Sequence, residues 1–145
     1  MTFQYNDGGR ADAGFKGKTG DCVTRAIAIA SGRPYKEVYD RLAAGTGSQR
    51  AGKLGKRAAT ASNGINVTRK WFKDLMAEWG FEWVPTMTIG SGCKTHLTAD
   101  ELPAGRLVVS VSGHYTTMLD GVINDTWNPD RGGKRCVYGY WKLQG

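Results

Sequence analysis

The apolar residues of this chain change their spacing at Gly80, and that change limits the folds open to it. Before Gly80 they recur every three or four residues, which is typical of helices that bury one side. After Gly80 they alternate with polar residues, which is typical of strands with one buried face. The pattern predicts an α+β fold, with N-terminal helices packed on a C-terminal antiparallel sheet of four or five strands. No stretch has the composition of a linker, so residues 1–145 are expected to form a single domain.

Three helices are predicted before Gly80. The first follows Thr19 or Asp21, either of which can cap it, and ends at Ser31-Gly32. It is apolar on nearly every side, so we expect it at the centre of the domain. The second runs from Pro34 to about residue 44, and the third runs from about Asn66 or Thr68 to Trp79.

The strands are predicted from alternation and turn residues. They cover residues 81–88, 106–112, 114–119, 122–126 and 135–143, and residues 3–5 fit a short edge strand. Asp120-Gly121 is a strong signal for a two-residue hairpin turn. It places Leu119 opposite Val122 and sets the register of the cross-strand pairs further from the turn.

The ends and cysteines of the chain bear on its compartment. Residues 1–7 lack the basic-then-apolar pattern of a secretory signal, and no apolar run approaches the roughly 20 residues that span a bilayer. The three widely spaced cysteines, Cys22, Cys93 and Cys136, are therefore expected to be free thiols. A cytoplasmic protein of a bacterium or of an infected host cell is predicted, with no membrane partner.

The net charge of +7 is concentrated in residues 45–70, which hold six basic residues and no acid. Such a segment can bind nucleic acid or an acidic protein, or it can be a solvated loop that aids solubility. The candidate contact residues are Arg50, Lys53, Lys56 and Arg57.

Cys22 lies in the first turn of the most apolar predicted helix. The free N–H groups and the helix dipole at such a position stabilise a thiolate, which is the nucleophilic form of cysteine. A buried cysteine that serves only as a small apolar side chain is the alternative.

The hairpin register brings a histidine and an acid together. Side chains alternate along strands, so one face carries His114, Thr116, Ile123, Asp125 and Trp127. Asp125 is the diagonal neighbour of His114, close enough to orient its imidazole. Trp127, directly opposite His114, can shield that contact from water. A structural histidine beside a polar strand acid is the alternative.

A Gly-Asp-Cys that opens a helix, a late histidine at a strand start and an aspartate on the next strand resemble the papain-like cysteine proteinase superfamily. Residues 20–27, 35–40 and 120–126 are also similar to a set of uncharacterised bacterial and phage proteins. The resemblance implies a papain-like fold with Cys22 as nucleophile, His114 as base and Asp125 as the orienting group.

Papain-like enzymes usually place an amide side chain about six residues before the cysteine to stabilise the oxyanion, and Lys16 stands there in this chain. Gln4 or Asn6 can substitute for that amide. The backbone N–H of Cys22 can also act together with Lys16 or Thr19.

A second cluster is suggested by Cys93 and His96, spaced as Cys-x-x-His. With Cys136 they can supply three corners of a zinc site, although the usual four-ligand spacing is absent. We expect structural use of these residues, and neither a metal nor a cofactor.

The residues therefore predict a cysteine-dependent acyl-transfer hydrolase (a peptidase, deamidase or amide transferase) acting on a protein or peptide. A catalytically inactive binding module of the same fold, such as a phage protein that acts on a host protein, is the main alternative. Nucleic-acid binding through residues 45–70 is the third.

Overall fold

The computed structural model describes residues 3–9, 11, 22–47, 70–87, 92–111 and 114–144, and every structural statement below concerns these residues. The helices are α1 (Cys22–Ser31), α2 (Tyr35–Gly47) and α3 (Lys70–Glu78). The strands are β1 (Phe3–Tyr5), β2 (Phe81–Pro85), β3 (Arg106–Val111), β4 (His114–Leu119), β5 (Val122–Asp125) and β6 (Val137–Leu143). A short 3₁₀ turn covers Arg131–Gly133.

The α+β prediction is confirmed, but the predicted sheet had too few strands, and it was predicted to be wholly antiparallel. Six described strands form one sheet in the order β1-β5-β4-β3-β6-β2. Five neighbouring strands pair antiparallel, while β1 pairs parallel with β5, so the sheet is mixed. Strand β1 covers the outer edge of β5, whose N–H and C=O groups need partners. Alternation along the chain carries no information about that long-range pairing.

The helix ends agree closely with the predicted ones wherever the structure describes them. Helix α1 ends at Ser31, and Gly32 follows at φ 74°. Helix α2 begins one residue after Pro34 and extends to Gly47, past the predicted end near residue 44. The predicted start of the third helix, at residues 66–68, lies outside the described residues.

Helix α1 packs along β4, running in the same direction. Seven of its residues are buried, as expected from its apolar surface. Near the middle, the Thr117 hydroxyl on β4 donates to the carbonyl of Ala26 at 2.9 Å. At the C-terminal end, the Arg106 guanidinium donates to the carbonyls of Ile29 and Ala30. These bonds, from Thr117 on β4 and Arg106 on β3, fix the helix on the sheet. They therefore determine where its first residue, Cys22, lies.

Apolar clusters cover both faces of the sheet. The helices pack on one face around Val108, Tyr115 and Trp141. On the other face, Val109, Met118 and Ile123 pack with Leu97 and Leu102 from the segment between β2 and β3. The central strands are therefore buried on both sides.

The predicted hairpin register is confirmed. Leu119 pairs with Val122, Met118 with Ile123 and Thr117 with Asn124. Asp120 and Gly121 both have positive φ, 48° and 85°, as a two-residue hairpin turn of this twist requires. The Asp120 carboxylate also accepts the N–H of Gly105 at 2.8 Å, which ties the turn to the start of β3.

Gly121→Ala is expected to lower the free energy of unfolding by about 1–3 kcal/mol, because a side chain at this positive φ is strained. The added Cβ would also lie 3.2 Å from the Ala99 Cβ. Asp120→Asn is the control, since Asn tolerates positive φ and keeps an acceptor oxygen. Urea unfolding measures both variants, and equal stability of Gly121→Ala and wild type would contradict the assigned turn.

Candidate active site

Cys22 is the first residue of α1, so it lies where backbone N–H groups have no partner within the helix. It is half-buried and packs against the apolar cluster beneath the helices. Its side chain is therefore fixed by packing while part of it remains reachable from solvent. Residues 12–21, including the predicted caps Thr19 and Asp21, lie outside the described residues.

The Cys22 side chain lies beside the imidazole of His114 and the backbone N–H of Tyr115, and both stabilise its ionised form. His114 is the first residue of β4, so its ring lies at the end of the sheet, where a side chain from the helix layer can reach it. The structure thus brings together two predicted site residues that are 92 positions apart in the sequence.

The third predicted residue, Asp125, is the last residue of β5 and holds the far side of the ring. Its Oδ2 lies 2.7 Å from His114 Nε2, and both side chains are almost fully buried. With Nε2 engaged by the carboxylate, Nδ1 is the ring nitrogen available to the Cys22 thiol. The imidazole therefore bridges the thiol and the carboxylate.

Three further groups hold the Asp125 carboxylate. The Thr116 hydroxyl donates to Oδ2 at 2.7 Å, and the Thr126 N–H donates to Oδ1 at 2.7 Å. Arg25 lies 3.7 Å from Oδ1 in a largely buried ion pair. Each carboxylate oxygen thus has at least two partners, which fixes the orientation of the group.

Sequence reasoning assigned no role to Arg25, although a signal was present. Arg25 lies three residues after Cys22, and residues at that spacing share one side of a helix. A cation one turn away from a candidate thiolate could have been noted on that ground. The pairing of Arg25 with Asp125 could not have been predicted, because that pairing depends on how α1 packs across the sheet.

Trp127 lies beside the imidazole, as the register predicts. The two ring centroids are 4.9 Å apart, with 40° between the planes. Trp127 remains 47% exposed, so it covers one side of His114 and presents its other surface to solvent. The pair Asp125 and His114 is therefore partly screened from water by an aromatic side chain.

These contacts change the ionisation of the thiol and the imidazole. Burial of Cys22 opposes its ionisation, but the hydrogen bonds from His114 and the Tyr115 N–H outweigh that cost, and the pKa of the thiol falls below its ordinary value. Burial of His114 also opposes its positive charge, but its bonds to Asp125 and Cys22 raise its pKa from 6.5 to about 9. Both shifts favour a thiolate paired with an imidazolium near neutral pH.

Asp125 stays ionised for a related reason. Burial would raise the pKa of its carboxyl group, but the hydrogen bonds from His114 and Thr116 hold that pKa below its usual value. The carboxylate therefore remains negative at neutral pH and stabilises the positive form of the ring.

Two of the four oxyanion candidates lie within the described residues. Gln4 is exposed on β1, in register with Asn124. The Asn6 amide donates to Asn124 Oδ1 at 3.2 Å, and its own oxygen accepts the N–H of Gly8 at 2.9 Å. These contacts bind Asn6 to the junction of β1 and β5. Lys16 and Thr19 lie outside the described residues. The role of all four candidates as oxyanion donors stays a prediction.

The basic candidates for nucleic-acid contact, Arg50, Lys53, Lys56 and Arg57, also lie outside the described residues. In the described part of the chain, no helix is long and apolar enough to cross a bilayer.

The expectation of three free thiols is wrong. Cys93 and Cys136 form a disulfide with their Cα atoms 5.8 Å apart, and Cys22 alone is free. Backbone pairing of His96 with Cys136 brings the two sulfurs together, a long-range contact that cysteine spacing does not encode. His96 does lie beside Cys93, but two disulfide sulfurs are not thiolate ligands. Within the described ranges, no group of three candidate ligands could hold a metal ion.

No protein-family model, curated protein or solved structure matches this chain. The resemblance to papain-like cysteine proteinases therefore stays a prediction, and the argument for function depends on the contacts of Cys22, His114 and Asp125.

His114 is expected to titrate at about pH 9 in the folded protein, because Asp125 and Cys22 both stabilise its charged form. Cys22→Ala removes one of these partners and Asp125→Ala the other, so each variant is expected to lower that pKa. NMR of the imidazole nitrogens measures it, and His96→Gln identifies the signal of the only other histidine. A His114 pKa unchanged by both substitutions would contradict the assigned contacts.

Proposed function

We propose that this protein is a cysteine-dependent acyl-transfer hydrolase that acts on an amide bond of a protein or peptide. The observation that carries the proposal is the position of His114, whose imidazole lies between the Cys22 thiol, which it helps to ionise, and the Asp125 carboxylate, to which it bonds at 2.7 Å. A nucleophile, a base and a group that orients the base are the elements of covalent acyl transfer.

The Cys22 thiolate attacks the carbonyl carbon of the substrate, and a tetrahedral oxyanion forms. The His114 imidazolium then gives its proton to the leaving amine, the C–N bond breaks, and an acyl thioester remains on Cys22. Neutral His114 next takes a proton from water, and the hydroxide formed attacks the thioester. That step releases the acid and restores the thiolate and the imidazolium. Asp125 fixes the ring and stabilises its charge through both halves of the cycle.

The start of α1 supports stabilisation of the oxyanion. The backbone N–H of Cys22 belongs to the first turn of a helix, where N–H groups point towards negative charge. One such donor is worth roughly 10²–10³ in rate. A second donor is proposed from the predicted set of Lys16, Thr19, Gln4 and Asn6.

A purely structural role is a poor explanation for this cluster. Buried charges lose hydration, and apolar side chains of similar size commonly stabilise a fold as well or better. Here Asp125, His114 and Arg25 are largely buried together, next to a half-buried thiol at a helix start. Perturbed ionisable groups arranged around a reachable nucleophile are typical of active sites.

The proposal predicts that p-nitrophenyl acetate acylates Cys22 in a burst of about one nitrophenolate per chain, followed by slower turnover. His114→Ala is expected to slow acylation about 10²-fold or more, because the thiolate loses its proton partner. Asp125→Ala acts in the same direction, while Asp100→Ala removes an exposed carboxylate outside the site and serves as the control. Stopped-flow absorbance gives the rates, and mass spectrometry locates the acetyl group.

Circular dichroism of each variant separates loss of reactivity from loss of fold. Acylation of folded wild-type protein at the rate of folded His114→Ala would contradict the proposed base. Acylation without turnover in the wild type would instead favour the inactive binding module of the same fold.

A further inference from the structure

A second arrangement of cysteine, histidine and acid lies at the disulfide between Cys93 and Cys136. His96 Nε2 lies 3.6 Å from Cys93 Sγ. On its other side, His96 Nδ1 lies 3.2 Å from Glu101 Oε1. An imidazole oriented by a carboxylate thus faces one sulfur of the disulfide.

Glu101 holds the ring in that orientation through a small network. Its Oε1 also accepts the backbone N–H of His96, and its Oε2 accepts the Thr98 hydroxyl, each at 3.3 Å. These bonds lower the pKa of the carboxyl group, in spite of some desolvation. The carboxylate favours a proton on Nδ1 and leaves Nε2 directed at sulfur.

The two sulfurs differ in access. Cys93 is exposed, whereas Cys136 is half-buried, with its Sγ 3.7 Å from the sulfur of Met87. An incoming thiolate therefore reaches Cys93 more easily. The same sulfur is the one next to His96, whose Nε2 can accept a proton from the incoming thiol.

The backbone around the disulfide is held by other bonds as well. The N–H of Val137 donates to the Thr95 carbonyl at 2.8 Å, and the N–H of Leu97 donates to the Arg135 carbonyl at 2.9 Å. These bonds flank the pair His96 and Cys136 on both sides. They keep the two cysteines adjacent when the S–S bond is broken, so the disulfide can form again.

We propose that Cys93, Cys136, His96 and Glu101 form a thiol–disulfide exchange site that accepts electrons from a dithiol. This proposal stands apart from the proposed function of Cys22, because it involves different residues and different chemistry.

The exchange has two steps. One thiolate of the dithiol attacks Cys93 Sγ, a mixed disulfide forms, and the electron pair of the broken S–S bond leaves with Cys136, which is protonated. The second thiolate of the dithiol then attacks its partner sulfur in the mixed disulfide and expels Cys93 as a thiolate beside His96. The dithiol is oxidised to a disulfide, and its two electrons and two protons reduce the pair Cys93 and Cys136 to thiols. His96 accepts the proton of the attacking thiol at Nε2 in the first step, and the imidazolium formed gives it to the departing Cys93 sulfur in the second, so His96 accelerates both steps.

The test is the rate at which dithiothreitol reduces the folded full-length protein, with EDTA present. Samples are quenched with iodoacetamide, and mass spectrometry reports each cysteine separately, so labelling of Cys22 does not interfere. We expect His96→Ala to slow reduction about tenfold, since the attacking thiol loses its base in the first step and the departing Cys93 sulfur loses its proton donor in the second. Glu101→Gln is expected to slow it about threefold, because the ring loses its fixed orientation.

Asp100→Asn is the matched control for Glu101→Gln, since it removes an exposed carboxylate from the neighbouring position. Its rate is expected to equal that of the wild type. Circular dichroism is expected to be unchanged by reduction, and the reduced pair is expected to reoxidise when a cyclic disulfide of the same class is added.

Three results would each overturn the proposal. The first is an equal rate of reduction for wild type and His96→Ala. The second is loss of the native fold on reduction, which would make the disulfide structural. The third is three free thiols in air-oxidised protein. None of them bears on acylation of Cys22, so failure here is distinct from failure of the proposed hydrolase.

Discussion

The hydrogen bond between His114 and Asp125 is the interaction on which the candidate active site depends. It joins the first residue of β4 to the last residue of β5 across the hairpin, at 2.7 Å. The turn at Asp120-Gly121 sets the register that makes this bond possible, and a shift of one residue would move Asp125 to the other face. The ring held by this bond is the ring that meets the Cys22 thiol.

The rest of the fold brings the thiol to that ring. Helix α1 is fixed on the sheet by the bonds of Thr117 on β4 and Arg106 on β3, and its first residue then reaches the end of the sheet. The buried cluster carries an energetic cost, because carboxylate, imidazole and guanidinium all lose hydration. Their mutual hydrogen bonds offset part of that cost. The part of the cost that is not offset lowers the stability of the fold, and ionisable groups in such surroundings are concentrated at functional sites.

Local patterns predicted the parts of this site that lie close in sequence. Alternation and one turn were enough to place Asp125 beside His114 and Trp127 next to both, because the hairpin spans few residues. Residues 3–5 were expected to form an edge strand, but the same reasoning missed the parallel pairing of β1 with β5 and the pairing of Arg25 with Asp125, since each depends on contacts between distant segments. It also missed the disulfide of Cys93 and Cys136, which are 43 residues apart, because the long-range backbone pairing of His96 with Cys136 brings them together. Cys22 was selected by its place at a helix start, and its contact with His114 followed from the packing of α1, which no local pattern encodes.

The proposed hydrolase requires that His114, held by Asp125, keeps Cys22 ionised near neutral pH. Alkylation of Cys22 by iodoacetamide, measured as a function of pH in wild type and in His114→Ala, tests it most directly, because alkylation requires the thiolate. If His114 stabilises the thiolate, the labelling profile of the wild type lies at lower pH than that of His114→Ala, and at neutral pH His114→Ala is labelled at least about tenfold more slowly. If both proteins instead follow the same profile, with the midpoint of an ordinary thiol near 9, the paired thiolate does not exist.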